Sequence, residues 1–297
     1  MRNHLRGMLL FTAMIAVLVF PLPAPAQTAA DFIRIQRDKD GQPLSLDTSI
    51  MRFEGVSESN GKPITVDLVS AVHIGDARYY QALNDRFKQY DSMLYELIAP
   101  KDHDFTARAE SPSSLSRMQQ GITNILGLGF QLDLVDYQAK NFVHADLSPD
   151  EFAQSMKDRG ESLSKILLKL LTSPQMLEHS QKSEASQIVL LFTLFQKNSP
   201  QRQMRLRRLL ATELNEVERF TEVLNGEEGS TILTARNDRA LEVLREQILL
   251  ERSRLAIFYG GAHMPDLAAK LRSEFTLVPT TTEWLVAWPI TSTTSQE

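Results

Sequence analysis

The chain predicts an α/β fold: a central mixed β-sheet built from two β-α repeats, with a large all-helical insertion between them. Three observations carry this reading. An apolar run ending in small residues, followed by His, two residues, Asp and an amphipathic helix, occurs twice with the histidines 190 residues apart. The copies are Val66-Asp67-Leu68-Val69-Ser70-Ala71-Val72-His73-Ile74-Gly75-Asp76 and Leu255-Ala256-Ile257-Phe258-Tyr259-Gly260-Gly261-Ala262-His263-Met264-Pro265-Asp266. Strand-like segments gather toward the two ends of the chain, and from Ser148 to Leu224 the pattern is helical almost throughout, within an insertion bounded at about 111–225.

The elements follow in order. Phe32 to Gln36 alternates apolar and polar, Asp38-Lys39-Asp40-Gly41 is a turn signal, and Ser45 to Phe53 is the returning strand of a hairpin. Ser57 to Lys62 is a second turn. Ile64 to His73 is a strong strand, and Asp76 is placed to cap a helix running to about Tyr90, in which Tyr79, Leu83 and Phe87 recur at helical spacing. Ser92 to Ile98 is a short apolar strand carrying Glu96 near its carboxyl end, so residues 64–98 form a β-α-β unit with an expected parallel pair. A helix is expected from Leu115 to about Leu126, and a short strand over Asn141 to Ala145. Ser148-Pro149-Asp150-Glu151 joins a Ser N-cap, Pro at the first helical position and Glu at the third, a strong helix start. Breaks in the helical pattern fall at Ser173-Pro174 and Asn198-Ser199-Pro200. A helix through Arg236, Leu241, Leu244 and Ile248 precedes the strand Leu255 to Tyr259; Pro265 to Phe275 is the helix after the second histidine, and Trp284 to Trp288 the last strand. The chain thus leaves the sheet near residue 100 and returns near 250, which allows the two histidine strands to be neighbours.

Composition narrows the class. A chain of 297 residues with 42% hydrophobic content buries a sizeable core, and residues 27–297 are read as one domain. There is no cysteine, which excludes disulfides, thiolate ligation and a Cys nucleophile; a metal would be held by His and carboxylates. Residues 1–26 read as an export signal: Arg2, His4 and Arg6 precede an apolar stretch of 13 residues, Met8 to Phe20, and small residues at Ala24 and Ala26 fit cleavage before Gln27. The stretch is short for a membrane span. Loss of Arg2 and Arg6 with the signal takes the formal charge from −5 to −7, which argues against a nucleic-acid partner. A periplasmic or secreted protein without a stable membrane span is expected.

Carboxyl ends of parallel strands are where ligand-binding groups converge. Two imidazoles and a carboxylate form a common hydrolytic metal site with an open position for water, and His73, His263 and Glu96 fit that inventory. Glu96 reads either as a ligand or as a general base. Asp76 and Asp266 read as helix caps, or as partners orienting the imidazole three residues before each. Ser70-Ala71 and Gly260-Gly261 would let a substrate approach the backbone. Arg236 and Asn237 would bind a substrate carboxylate or stabilise an oxyanion, against the commoner reading of a salt-bridged Arg at a helix start. His103 and His144 are alternative third ligands, ranked below Glu96. Gly127-Leu128-Gly129 lacks the third glycine and preceding strand of a dinucleotide loop. The four arginines within Gln201 to Arg208 read as a solvated helix face. No His-Glu-x-x-His helix, Gly-x-Ser-x-Gly elbow or Gly-Lys-Ser phosphate loop occurs.

At these residues the chain resembles the TraB, GumN and Tiki family, with its two Gly-x-x-His motifs and a Glu on a strand after the first. Gly260-Gly261-Ala262-His263 matches the second motif, Ser70-Ala71-Val72-His73 matches the first with Ser in place of Gly, Tyr95-Glu96 stands at the acidic strand position, and Arg236-Asn237 is similar to the Arg-containing helix before the second motif. The resemblance covers about residues 64–100 and 232–275. It implies an α/β fold related to the erythromycin-esterase and ChaN-like group and an exported metal-dependent hydrolase acting on peptides. His73, Glu96 and His263 would hold Mn, Co or Zn. The alternative is a non-catalytic protein that sequesters a peptide or small molecule in the same cleft. The family's activity does not transfer with its fold.

Overall fold

The computed structural model describes residues 28, 31–100, 103, 126–172, 199–214, 225 and 229–290. The export signal, the helix expected over Leu115 to Leu126, and the break at Ser173-Pro174 lie outside or almost wholly outside these residues. The architecture is α/β with a mixed central sheet and several helices. Among the described residues no helix is long and apolar enough to cross a membrane.

The hairpin forms as the turn chemistry predicts: β1 (Ile33–Arg37) runs antiparallel to β2 (Pro43–Val56). One edge of β2 carries β9 (Val278–Pro289), also antiparallel. The other edge is shared: Ile33 lies opposite Thr48, and further along, β3 (Pro63–Ala71) places Val69 opposite Ile50. Beyond β3 the sheet is parallel, in the order β3, β8 (Arg254–Gly260), β5 (Ser92–Tyr95), β7 (Phe142–His144). The two histidine strands pair directly, Leu68 opposite Ile257 and Ala71 opposite Gly260. The expected pairing within the first β-α-β unit is corrected: β3 and β5 are parallel but separated, because β8 lies between them and bonds to both.

Strand β8 is apolar at every residue from Leu255 to Tyr259 because helices cover both sheet faces. Ala256 and Phe258 pack with Tyr79, Tyr80, Leu83 and Phe87 of α1 (Ala77–Phe87). Leu255, Ile257 and Tyr259 pack with Leu241 and Leu244 of α6 (Arg236–Leu249) and with Leu267 and Leu271 of α7 (Met264–Phe275). Alternate residues of one strand therefore feed two cores, the period-2 geometry of a strand buried on both sides. Each fully buried Leu, Ile or Phe among them contributes about 1.5–3 kcal/mol.

Between β5 and α6 the described chain holds a two-residue strand β6 (Gly129–Phe130) paired with β4 (Ile74–Gly75), and the one-turn helix α2 (Gln131–Leu134). Three longer helices follow: α3 (Pro149–Asp158), α4 (Leu163–Thr172) and α5 (Pro200–Leu214). Helix α3 starts in the reciprocal cap its sequence announces. The Ser148 hydroxyl accepts from Glu151 N at 3.2 Å, and the Glu151 carboxylate accepts from Ser148 N at 2.7 Å. The solvated face expected of the four arginines of α5 is corrected: only part of it faces water. Arg202 is buried, and Arg207 donates to the carbonyls of Leu126 (2.9 Å), Gly127 (2.7 Å) and Pro289 (3.3 Å). Arg205 and Arg208 face water.

Candidate functional site

Each parallel strand ends in a residue that can carry chemistry. His73 follows β3 by two residues, Glu96 directly follows β5, Asp146 follows β7 by two, and His263 follows β8 by three. The chain turns from β8 through a short 3-10 turn, Gly261–His263, so His263 enters α7 as its N-cap. A cavity of about 600 Å³ opens at these strand ends, lined by His73, Glu96, Arg236, Gly260, Gly261 and His263. Its remaining wall is mostly apolar, including Ile33, Val72, Ile74, Leu210, Leu233 and Trp288. The two imidazoles, remote in sequence, therefore face one space, and Glu96 faces it with them.

Glu96 is the hub. Its Oε2 accepts from the backbone N–H of Gly260 at 2.6 Å. Its Oε1 accepts from Arg236 Nη2 at 2.8 Å and lies 3.5 Å from His263 Nε2. Burial alone would raise its pKa, but its interactions with His263, the Arg236 guanidinium and His73 outweigh that and hold the carboxyl well below its ordinary value. A carboxylate held so low is a weak proton acceptor near neutrality, which suits a ligand better than a general base.

Arg236 opens α6 and is nearly buried. Besides Glu96 it grips Asp146, Nε to Oδ1 at 2.9 Å and Nη2 to Oδ2 at 2.5 Å, and donates to the Ile232 carbonyl at 3.4 Å. Asp146 is fully buried, and its Oδ1 also accepts from Leu147 N at 2.7 Å. The guanidinium expected to bind substrate is thus committed to two carboxylates of the chain itself, the salt-bridged reading of its position. Asn237 is likewise occupied: Oδ1 meets His263 Nδ1 at 2.7 Å, and Nδ2 donates to Asp266 Oδ2 at 2.7 Å and to the His263 carbonyl at 3.3 Å.

The two aspartates after the histidines behave differently. Asp76 caps α1, accepting from Arg78 N at 3.0 Å, and pairs with the Arg78 guanidinium at 3.1 Å. The hydrogen-bond partner of His73 Nδ1 is instead Gln131 Oε1, at 3.3 Å. Asp266 reaches His263 at one remove, through Asn237, and also pairs with Lys270 at 2.9 Å. His144 Nε2 bonds the Leu97 carbonyl at 2.7 Å. His103 is exposed, its backbone N–H bonded to the Pro100 carbonyl at 3.0 Å. Neither lines the cavity.

Gly260 and Gly261 differ in what their missing side chains permit. A Cβ on Gly260 would stand 3.4 Å from Glu96 Oε2, ordinary contact, whereas one on Gly261 would stand 2.3 Å from Ile33 Cδ1. Gly261 is therefore demanded by close packing against β1, and Gly260 leaves open space beside the carboxylate.

Among the described residues no three His, Asp or Glu side chains stand together as a ready cage for a metal ion. The donor chemistry nevertheless fits a cation at one point. With the Nδ1 hydrogen directed at Asn237 Oδ1, the His263 Nε2 lone pair faces Glu96 Oε1 at 3.5 Å, a pair of acceptors that a shared proton or a cation satisfies. Asp146 and Gln131 were missed from sequence. Asp146 repeats the pattern of Glu96, a carboxylate just after a short apolar strand, and was open to the same argument; Gln131 gives no local signal. No family model, curated protein or solved structure matches the chain.

Proposed function

We propose that the cavity at the parallel strand ends is the active site of an exported metal-dependent hydrolase acting on peptides, with His73, Glu96 and His263 as ligands of one divalent cation, Mn, Co or Zn. The observation that carries the proposal is the His263 Nε2 to Glu96 Oε1 approach of 3.5 Å, acceptor against acceptor, on a cavity that His73 also lines. A cation held there would supply Lewis acidity, polarising a scissile carbonyl and acidifying water. The chain's own residues do the rest. Arg236 and Gly260 N–H keep Glu96 ionised and fixed, and Gln131 orients the His73 ring toward the cavity it lines. The apolar wall excludes water and receives a nonpolar part of the substrate. The resemblance to the TraB, GumN and Tiki family supports the same reading, in which β3-α1 and β8-α7 are two copies of one β-α unit and α3, α4 and α5, which lie between them in sequence, set substrate choice.

A second reading, a binding protein that sequesters a peptide or small molecule without turnover, is favoured by two features: most of the cavity wall is apolar, and Arg236, the cation beside Glu96, is spent within the chain. A peptide library incubated with the protein, with and without chelator, separates the two. The hydrolase reading expects chelator-sensitive cleavage that His73→Ala and His263→Ala both abolish in folded protein. Cleavage undiminished in either variant would refute it, and bound metal without cleavage favours sequestration.

A further inference from the structure

We infer that two carboxamide side chains, Gln131 and Asn237, are positioning residues that fix the same tautomer on both site imidazoles, with the proton on Nδ1 and the lone pair on Nε2; the inference rests on the reading of this cavity as the functional site.

Asn237 Nδ2 is spent on two acceptors, Asp266 Oδ2 at 2.7 Å and the His263 carbonyl at 3.3 Å. Turning the amide over would set Oδ1 against that carboxylate and that carbonyl, acceptor against acceptor, so Oδ1 faces the ring at 2.7 Å and His263 Nδ1 must carry hydrogen. Asp266 is itself held by Lys270, which anchors the far end of the chain of bonds.

His73 repeats the arrangement with unrelated parts. In the amide orientation of the structure Gln131 Nε2 donates to the Tyr137 hydroxyl at 2.7 Å and Oε1 faces His73 Nδ1 at 3.3 Å, which makes Nδ1 the donor. Gln131 also donates its backbone N–H to the His73 carbonyl at 2.9 Å. Each carboxamide residue therefore grips both the ring and the main-chain carbonyl of one histidine, and both are buried, Gln131 at 4% and Asn237 at 0% exposure, where water does not compete. The two orienters come from different places. Asn237 is the second residue of α6. Gln131 follows the short β6 strand, whose partner β4 begins at Ile74 beside His73 and whose approach is clamped by Arg207 of α5.

The chemical consequence is common to both rings. An imidazole with its proton on Nδ1 has only Nε2 to give to a cation or to an incoming proton. Both rings are thereby set to act through the nitrogen away from the backbone, without any change in the chain elsewhere.

The test is spectroscopic. Two-bond ¹H–¹⁵N correlation spectra of the metal-free full chain, recorded above the imidazole titration range, are expected to show Nδ1–H with bare Nε2 for His73 and His263. Gln131→Leu is expected to release His73 alone toward the Nε2–H form that free histidine favours, and Asn237→Leu to release His263 alone. Gln131→Glu, which keeps an acceptor, should retain the wild-type pattern. Binding of Zn²⁺ alone should weaken about 10–100-fold in each Leu variant. An Nε2–H signal from either ring in the wild type, or unchanged tautomers in the Leu variants, would overturn the inference; should a variant fail to fold, the wild-type spectrum decides. Expected tautomers in a protein that takes up no Zn²⁺ would sink the hydrolase reading and leave the positioning roles standing.

Discussion

Replacing Arg236 with leucine strands two carboxylates. Asp146 has a side chain 0% exposed and Glu96 one 10% exposed, and both lean on this guanidinium at 2.5–2.9 Å. Each keeps one backbone donor, Leu147 N for Asp146 and Gly260 N for Glu96, so the loss is of charge compensation rather than of every hydrogen bond. Breaking a buried pair from one side costs about 3–5 kcal/mol, because the remaining charge is neither solvated nor neutralised. The variant is therefore expected to lose about 3–5 kcal/mol in urea unfolding at pH 7, and Asp146→Asn added to it should recover part of that loss by removing one stranded charge. The pH dependence carries its own sign. Glu96 is held below its ordinary 4.5 in the folded wild type, so its stabilising contribution is complete above that value and is lost as pH falls through the depressed folded value. Without Arg236 the folded value rises and the contribution shrinks, so the gap between wild type and variant should be widest near neutrality and narrow below 4.5. A loss under about 1 kcal/mol at pH 7, the range of an exposed pair, would refute the picture of a buried charge hub, as would a gap that ignores pH.

Other substitutions probe the surroundings. Gly261→Ala forces a Cβ to 2.3 Å from Ile33 Cδ1 and should destabilise by about 1–3 kcal/mol in thermal melts, while Gly260→Ala, with nothing nearer than 3.4 Å, should melt like the wild type; equal melting of all three would remove the packing explanation of Gly261. Ser148→Ala deletes the hydroxyl that caps α3 and should cost about 1 kcal/mol, read by chemical denaturation, with no change arguing against that cap. Burial raises Asp91, but the amides of Arg254 and Ser253 and the Arg254 guanidinium outweigh it and hold the carboxyl at about 2 against an ordinary 3.8. Its contribution is present above 3.8 and lost as pH falls toward 2, so Asp91→Asn should flatten the acid limb of the stability profile in that window, and an unchanged limb would contradict the assignment.

The parts of this fold legible in sequence are those fixed by neighbours along the chain. Strand β8 announces itself as five consecutive apolar residues, α3 by its reciprocal cap, and the β1-β2 hairpin by Asp38-Lys39-Asp40-Gly41. What local pattern cannot encode is which strand inserts between which: β8 takes the place beside β3 that β5 would occupy in a simple β-α-β unit, and nothing in residues 64–98 records it. The same limit applies at the site. His73, Glu96 and His263 stand out because each follows an apolar run, and the cavity gathers all three. The orienting groups do not stand out, since Gln131 meets His73 across 58 residues and Asn237 meets His263 across 26, in contexts with no periodic signature. Asp76 and Asp266, close in sequence to the rings, spend themselves on a helix cap and on Asn237.

On this reading two imidazoles from distant segments serve one ion. Zn²⁺ binding followed by calorimetry in wild type, His73→Ala and His263→Ala tests it most directly. A single tight site is expected in the wild type, lost in either variant. Full-strength binding that survives in one of the two variants, or two independent weak sites each lost with its own histidine, would contradict it.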